Sequence, residues 1–131
     1  MLETLLFLQY PRCGTCRKAR AWLDAHGIAY NARHIVEKAP TAEELAQWLS
    51  MSGLPVRRLF NTSGKRYREL GMKDRFAEGI SEAECLELLA SDGMLVKRPI
   101  LVGEDFALVG FKETEWFEKL LVDAPSSVTS D

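Results

Sequence analysis

No stretch of this 131-residue chain approaches the ~18 uninterrupted apolar residues of a membrane-spanning helix. Charge of either sign is nearly balanced: 17 Lys and Arg against 19 Asp and Glu give a net charge of -2 and an isoelectric point near 5.8. That balance supplies no general attraction to nucleic acid, so no direct nucleic-acid contact and no membrane association are expected. Metal-binding side chains are scarce, with two histidines and three cysteines. An odd cysteine count argues against a secreted disulfide framework and for a reducing, cytoplasmic setting. Met1-Leu2-Glu3-Thr4 has neither a basic leader nor a cleavage site, so no signal peptide is expected. There is no internal repeat and no linker-like run. With 47% hydrophobic residues, a single packed domain over residues 1–121 is the expectation, followed by a small, polar, flexible C-terminal tail over 122–131.

What the chain does have is Gln9-Tyr10-Pro11-Arg12-Cys13-Gly14-Thr15-Cys16-Arg17-Lys18-Ala19. Two cysteines three apart, after an apolar run and before a helical pattern, read as a redox dithiol. Cys13 falls where loop becomes helix, a place where unpaired backbone N–H groups and the helix dipole favour an anion. Arg12, Arg17, Lys18 and Arg20 add a basic cluster, and Arg12 and Arg17 are candidate anion-binding residues. Helix starts usually favour acids, so this cluster suits a thiolate or an anionic substrate. Cys13 is therefore the expected nucleophile with a lowered pKa, and Cys16 the resolving thiol. Residues i and i+3 at a helix start lie about 5 Å apart, within disulfide reach. Half of a zinc site is the competing reading, but it needs two more clustered ligands. Cys85, His26 and His34 form no second pair, so no metal is expected. Two inert thiols remain the other alternative.

Thr4–Gln9 reads as a strand buried on both faces, stopped by Pro11. A helix is predicted over Gly14–His26 with Gly27 as a left-handed cap, then a second, parallel strand over Ala29–Ile35. Thr41 and Glu44, and again Ser81 and Glu84, have capping-box spacing. They open helices that carry Leu45, Trp48 and Leu49, and Leu86, Leu88 and Leu89. Short helical turns fill residues 55–80, so residues 41–92 read as a helical insertion. Ile100–Val102, a turn at Gly103-Glu104-Asp105 and Phe106–Val109 make a β-hairpin. A last helix, Glu113–Leu121, places Trp116, Phe117, Leu120 and Leu121 on one face. This order gives an α/β protein with a four-stranded mixed sheet.

Cys85 is expected to be a buried structural cysteine, His26 and His34 core-edge residues, and Trp22, Trp48 and Trp116 packing residues. Seven basic residues fall at Arg57, Arg58, Lys65, Arg66, Arg68, Lys73 and Arg75. They read either as a solvated face with local ion pairs or as a surface for an anion or a partner.

Pro11-Arg12-Cys13-Gly14-Thr15-Cys16-Arg17-Lys18-Ala19, Tyr67-Arg68-Glu69-Leu70-Gly71 and Arg98-Pro99-Ile100 together resemble the ArsC/Spx family across residues 4–121. The resemblance implies a thioredoxin-like (glutaredoxin-like) fold with a helical insertion, and a cis Pro99 facing the dithiol. It also implies that Arg98 assists Cys13 at the catalytic centre. In the arsenate reductases of this family three arginines hold the oxyanion. Arg98 matches one of these positions, whereas Asn61 and Gly110 fall at the other two, and Cys16 stands where those enzymes often have serine. No cofactor is implied beyond an external thiol reductant, glutathione with glutaredoxin or thioredoxin, so the glutaredoxin or thioredoxin system is the implied partner. Two functions follow as expectations. One is an arsenate reductase-like thiol-disulfide oxidoreductase. The other is an Spx-like redox-sensing regulator that binds the C-terminal domain of the RNA polymerase α subunit.

Overall fold

The computed structural model describes residues 5–122. At its centre is β1 (Leu6–Gln9), built from the apolar run near the N-terminus. Phe7 and Leu8 are both fully buried, and alternate residues of a strand face opposite ways. Each therefore founds a separate core. Phe7 packs with Leu23, Leu101, Leu108 and Trp116, and Leu8 with Ile35, Leu45, Leu59, Leu89 and Ile100.

β1 pairs in parallel with β2 (Asn31–His34) and antiparallel with β3 (Ile100–Val102). β3 in turn pairs antiparallel with β4 (Ala107–Val109), giving the order β2-β1-β3-β4. This is the mixed sheet expected, in a thioredoxin-like arrangement. β2 is shorter than the 29–35 run predicted for it. As an edge strand it buries little, and Asn31 and Ala32 are exposed. Tyr30 leaves the ladder to pack edge-on against Phe7 at 5.2 Å and to donate a hydrogen bond to Asp24.

α1 (Gly14–Ala25) buries Cys16, Ala19, Trp22 and Leu23 and ends before Gly27, which takes the left-handed conformation (φ 65°). α2 (Ala42–Ser52) and α5 (Glu82–Ser91) both begin with complete capping boxes, Thr41 with Glu44 and Ser81 with Glu84. Between them run a 3-10 turn (Val56–Leu59), α3 (Lys65–Glu69) and α4 (Met72–Ala77). Gly93, just after α5, lies so close to β2's end that a Cβ there would sit 2.0 Å from the Ile35 carbonyl oxygen. Only glycine fits that approach.

The final helix departs from expectation. α6 (Glu113–Phe117) is followed by π-helical winding over Glu118–Val122. Widening the hydrogen-bond spacing rotates later side chains off the 3.6-residue stripe. Trp116 is fully buried, with its indole N–H donated to the Gly110 carbonyl, but Phe117 and Leu121 are 46% and 41% exposed. The predicted four-residue apolar face is therefore reduced to Trp116 and the partly buried Leu120. The tail expected over 122–131 lies outside the described residues except for Val122.

β2 is fastened to α2 by Arg33, whose two terminal nitrogens lie 2.8 and 2.9 Å from the Glu44 carboxylate oxygens. Arg33 also donates to the Lys38 and Ala39 carbonyls. The Arg33 hydrogen bonds, with help from Thr41, outweigh burial and hold the Glu44 carboxyl at a pKa of about 2. A depressed carboxylate pKa stabilises the fold above the unfolded value, ordinarily near 4.3, and that contribution is lost as pH falls towards 2. The pair is partly exposed, so solvent screens it. Glu44→Gln should lower stability by about 1 kcal/mol at neutral pH, with the difference vanishing near pH 2 in urea unfolding curves.

Candidate active site

The chain leaves β1 at Gln9, turns through Tyr10 and Pro11, and enters α1 at Cys13. The turn is closed by the Cys13 N–H donating to the Tyr10 carbonyl at 2.9 Å. Cys13 is the N-cap of α1, in extended conformation, and its carbonyl accepts from Arg17 N–H. It is partly exposed, among exposed Pro11, Arg12, Gly14 and Thr15. Cys16, one turn on, faces the interior and is only 1% exposed. Both are free thiols.

The two sulfurs have opposite proton affinities. Partial burial pushes the Cys13 thiol up. The Cys16 N–H, the Cys16 thiol, the Thr15 N–H and the Arg98 guanidinium outweigh it, and the net pKa is lowered. The Cys13 side chain closes no hydrogen-bonded cap. These donors therefore reward ionisation rather than hold the thiol. Cys16 is pushed up to about 12, first by burial and then by the adjacent Cys13 sulfur. The Tyr10 N–H, 3.5 Å from the Cys16 sulfur, and the Arg98 charge offset only part of this.

Arg98 reaches the site from the far end of the chain, at the entrance to β3. One terminal nitrogen donates to the Met94 and Val96 carbonyls at 3.1 and 3.4 Å, and the guanidinium lies 5.2 Å over the Tyr10 ring. The Arg98-Pro99 peptide bond is cis, as the resemblance implies, and the buried Pro99 accepts the Gly110 N–H through its carbonyl at 2.8 Å. Arg12 and Arg17 are exposed, and neither is among the groups that shift Cys13. Arg98 is the cation among the groups that lower the Cys13 thiol. Tyr10, given no role from sequence, touches Arg98 with its ring and both cysteines with its backbone. The one sequence signal for it is an aromatic side chain between a buried strand and a proline.

The other two positions set beside the arsenate reductase arginines are occupied differently. Asn61 is half-buried and its N–H is committed to the Leu95 carbonyl at 2.7 Å. Gly110 is buried with φ at 79°, a conformation that disfavours any residue with a Cβ. Within the basic stretch, Arg66 pairs with Glu69 and Asp92, Lys65 lies near Glu69, and Arg57 stacks on Phe76 at 4.8 Å. These contacts fit the local ion-pair reading of that segment. Cys85 is buried, with a thiol raised by burial and by Glu84 and Glu82. His26 is exposed rather than at the core edge, with its ring against Trp22. His34 is partly buried and accepts the Val36 and Glu37 N–H groups through Nδ1. Trp22, Trp48 and Trp116 are all buried in the cores. Among the described residues no group of three or more His, Cys, Asp or Glu could hold a metal ion, and no helix is long and apolar enough to cross a membrane.

Sheet order, the strand-to-helix dithiol and the cis proline define an α/β protein of the thioredoxin-like class. More narrowly, the chain belongs to the ArsC family, whose profile matches residues 8–119. It is 50% identical over 115 residues to the protein YusI of Bacillus subtilis, covering 88% of this chain and 97% of YusI. It is 33% identical over 110 residues to the global transcriptional regulator Spx of Streptococcus agalactiae, covering 84% and 77%. Among solved structures, an ArsC family related protein from Bacteroides fragilis superposes with a TM-score of 0.85 at 50% identity, covering 88% and 96%. The arsenate reductase from Vibrio cholerae does so with a TM-score of 0.74 at 27% identity, covering 82% and 89%.

Alkylation followed site by site against pH should find Cys13 titrating below an ordinary free thiol, near 8.5, while Cys16 stays protected to strongly alkaline pH. Arg98→Gln should raise the Cys13 midpoint and leave the protection of Cys16 in place.

Proposed function

We propose that this protein is a thiol-disulfide oxidoreductase with Cys13 as nucleophile, Cys16 as resolving cysteine and Arg98 as the cation that stabilises the Cys13 thiolate. The supporting observation is the split between the two sulfurs, one favoured as an anion and the other held protonated.

The Cys13 thiolate attacks one sulfur of an oxidised partner disulfide. The partner's S–S bond breaks, a Cys13–partner mixed disulfide forms, and one partner thiolate leaves. Once Cys13 is bonded it carries no negative charge, so one of the causes that raise Cys16 is removed. Cys16 then gives up its proton, which the released thiolate can take, and attacks the Cys13 sulfur. The second partner thiolate leaves. Two electrons have passed to the partner, and Cys13 and Cys16 end as a disulfide. An external dithiol or glutathione system returns it to the reduced state.

The substrate class follows from openness. Cys13 sits among exposed residues at the start of α1. The grooves lined by Arg75, Ile80 and Leu88, or by Trp22, Thr114 and Phe117, contain none of the site residues. An open nucleophile suits a disulfide carried on a peptide or protein, or glutathione disulfide. A tetrahedral oxyanion is held best by several forked guanidinium groups. Asn61 and the positive-φ Gly110 supply none at the matched positions, so arsenate is a poor candidate substrate.

A second reading is supported by the likeness to the transcriptional regulator Spx. There the same dithiol would be a switch, and its oxidation would alter a surface that binds the C-terminal domain of the RNA polymerase α subunit.

Cys16→Ser should trap a mixed disulfide on Cys13 when the protein is mixed with glutathione disulfide, detected as an adduct by intact-mass measurement. Wild type should instead proceed to the Cys13–Cys16 disulfide. Absence of both products would sink the oxidoreductase reading. Arsenate turnover with glutathione and glutaredoxin is expected to be negligible. Redox-dependent capture of the polymerase α C-terminal domain would favour the regulator.

A further inference from the structure

We infer that Tyr10 is the positioning residue of this site: its ring seats the Arg98 guanidinium at Cys13 while its backbone fixes both cysteines. The inference rests on the reading of Cys13 as nucleophile and deepens it.

Three sets of contacts converge on Tyr10. The Arg98 guanidinium carbon lies 5.2 Å over its ring. On another side the His34 ring meets it edge-on at 5.7 Å with an interplanar angle of 87°. The ring is thus wedged between the end of β2 and the entrance to β3, two strands that flank β1 without touching each other. Along the backbone, the Tyr10 carbonyl accepts the Cys13 N–H at 2.9 Å and the Tyr10 N–H points to the Cys16 sulfur at 3.5 Å.

Arg98 needs such a seat. Its two carbonyl partners, Met94 and Val96, are both engaged by a single nitrogen. They anchor one corner of the guanidinium, and the Tyr10 ring lies beneath its plane. A flat cation over an aromatic face is restrained in that plane and attracted by the ring quadrupole. Held there, Arg98 spends its time where it favours the Cys13 anion. The phenolic hydroxyl has no hydrogen-bond partner among the described residues. The ring carries the effect, and phenylalanine should replace tyrosine without loss. Tyr10 acts through Arg98 and needs no contact with the substrate.

The test is the pH midpoint of Cys13 alkylation, read by site-resolved mass spectrometry in the full chain, with thermal melts as a folding control. Tyr10→Phe should titrate with wild type. Tyr10→Leu should raise the midpoint by about half a pH unit, the scale of a modest cation–π contact. Arg98→Gln should raise it at least as far, and the double variant should go no further than Arg98→Gln alone. A Tyr10→Leu profile identical to wild type beside a raised Arg98→Gln profile would overturn the inference, as would fully additive shifts. If wild-type Cys13 itself titrates as an ordinary thiol and Arg98→Gln changes nothing, the nucleophile reading fails and takes this inference with it. Should Tyr10→Leu not fold, phenylalanine analogues of increasing ring fluorination keep the shape while weakening the quadrupole. The midpoint should then rise with fluorination, and a constant midpoint would overturn the proposal.

Discussion

An α-helix begins with four backbone N–H groups that have no carbonyl within the helix to bond. Here two of them, from Thr15 and Cys16, stand beside the Cys13 sulfur, and the rest of the site depends on that shortage. Donors that favour the charged form lower a pKa even where partial burial works the other way. The effect is local and needs no cofactor. It does need the helix to start at Cys13 and nowhere else. Pro11 ends the strand, the Cys13 N–H closes a turn on Tyr10, and Cys13 takes the extended N-cap conformation. A helix beginning one residue earlier would enclose Cys13 and spend the Cys16 N–H on the Arg12 carbonyl.

The sheet makes this local arrangement rigid. β1 is central, paired on both edges and buried on both faces, so its last residue is a fixed point. β3 lies directly beside it in antiparallel register, Leu8 against Ile100. That register brings the chain just before Ile100, Arg98 and Pro99, to the same end of the sheet as the residues just after Gln9. Arg98 and Cys13 meet because two strands pair, although they are far apart in sequence. The helices between β2 and β3 pack on the Leu8 face through Leu45, Leu59 and Leu89. They leave the α1 start uncovered.

Local signals in the sequence proved sound. Both capping boxes form as Thr41–Glu44 and Ser81–Glu84 spacing indicates, and the three tryptophans take their places in the cores. Side chains that depend on tertiary placement were harder to read. The basic cluster around the dithiol suggests Arg12 and Arg17 as anion-binding residues; both are exposed, and the cation that lowers the Cys13 thiol is Arg98 instead. Arg98 was legible only through resemblance, since no spacing rule links it to Cys13. Tyr10 was invisible because its role is a stacking contact with a residue delivered by another strand. The last helix misled for a different reason. Trp116 turns inward as its pattern indicates, but Phe117, the next residue of α6, is exposed, and after the π winding over Glu118–Val122 begins Leu121 is exposed as well.

Burial separates the duties of the two thiols more firmly than charge does. Cys16 is nearly inaccessible and its thiol is pushed up to about 12, so on the proposed reading it is poorly placed to meet an incoming disulfide and reacts with a sulfur brought to it by Cys13. In that reading a mixed disulfide at Cys13 would also remove the negative neighbour that disfavours Cys16 ionisation, so the first step would prepare the second. The same geometry works against an oxyanion. Among the described residues Arg98 is the guanidinium that helps lower the Cys13 thiol, and a left-handed glycine stands at one of the positions matched to the other arginines, an arrangement that favours a thiolate over the enclosure of a tetrahedral anion. On the reading proposed above, this arrangement favours sulfur exchanging with sulfur.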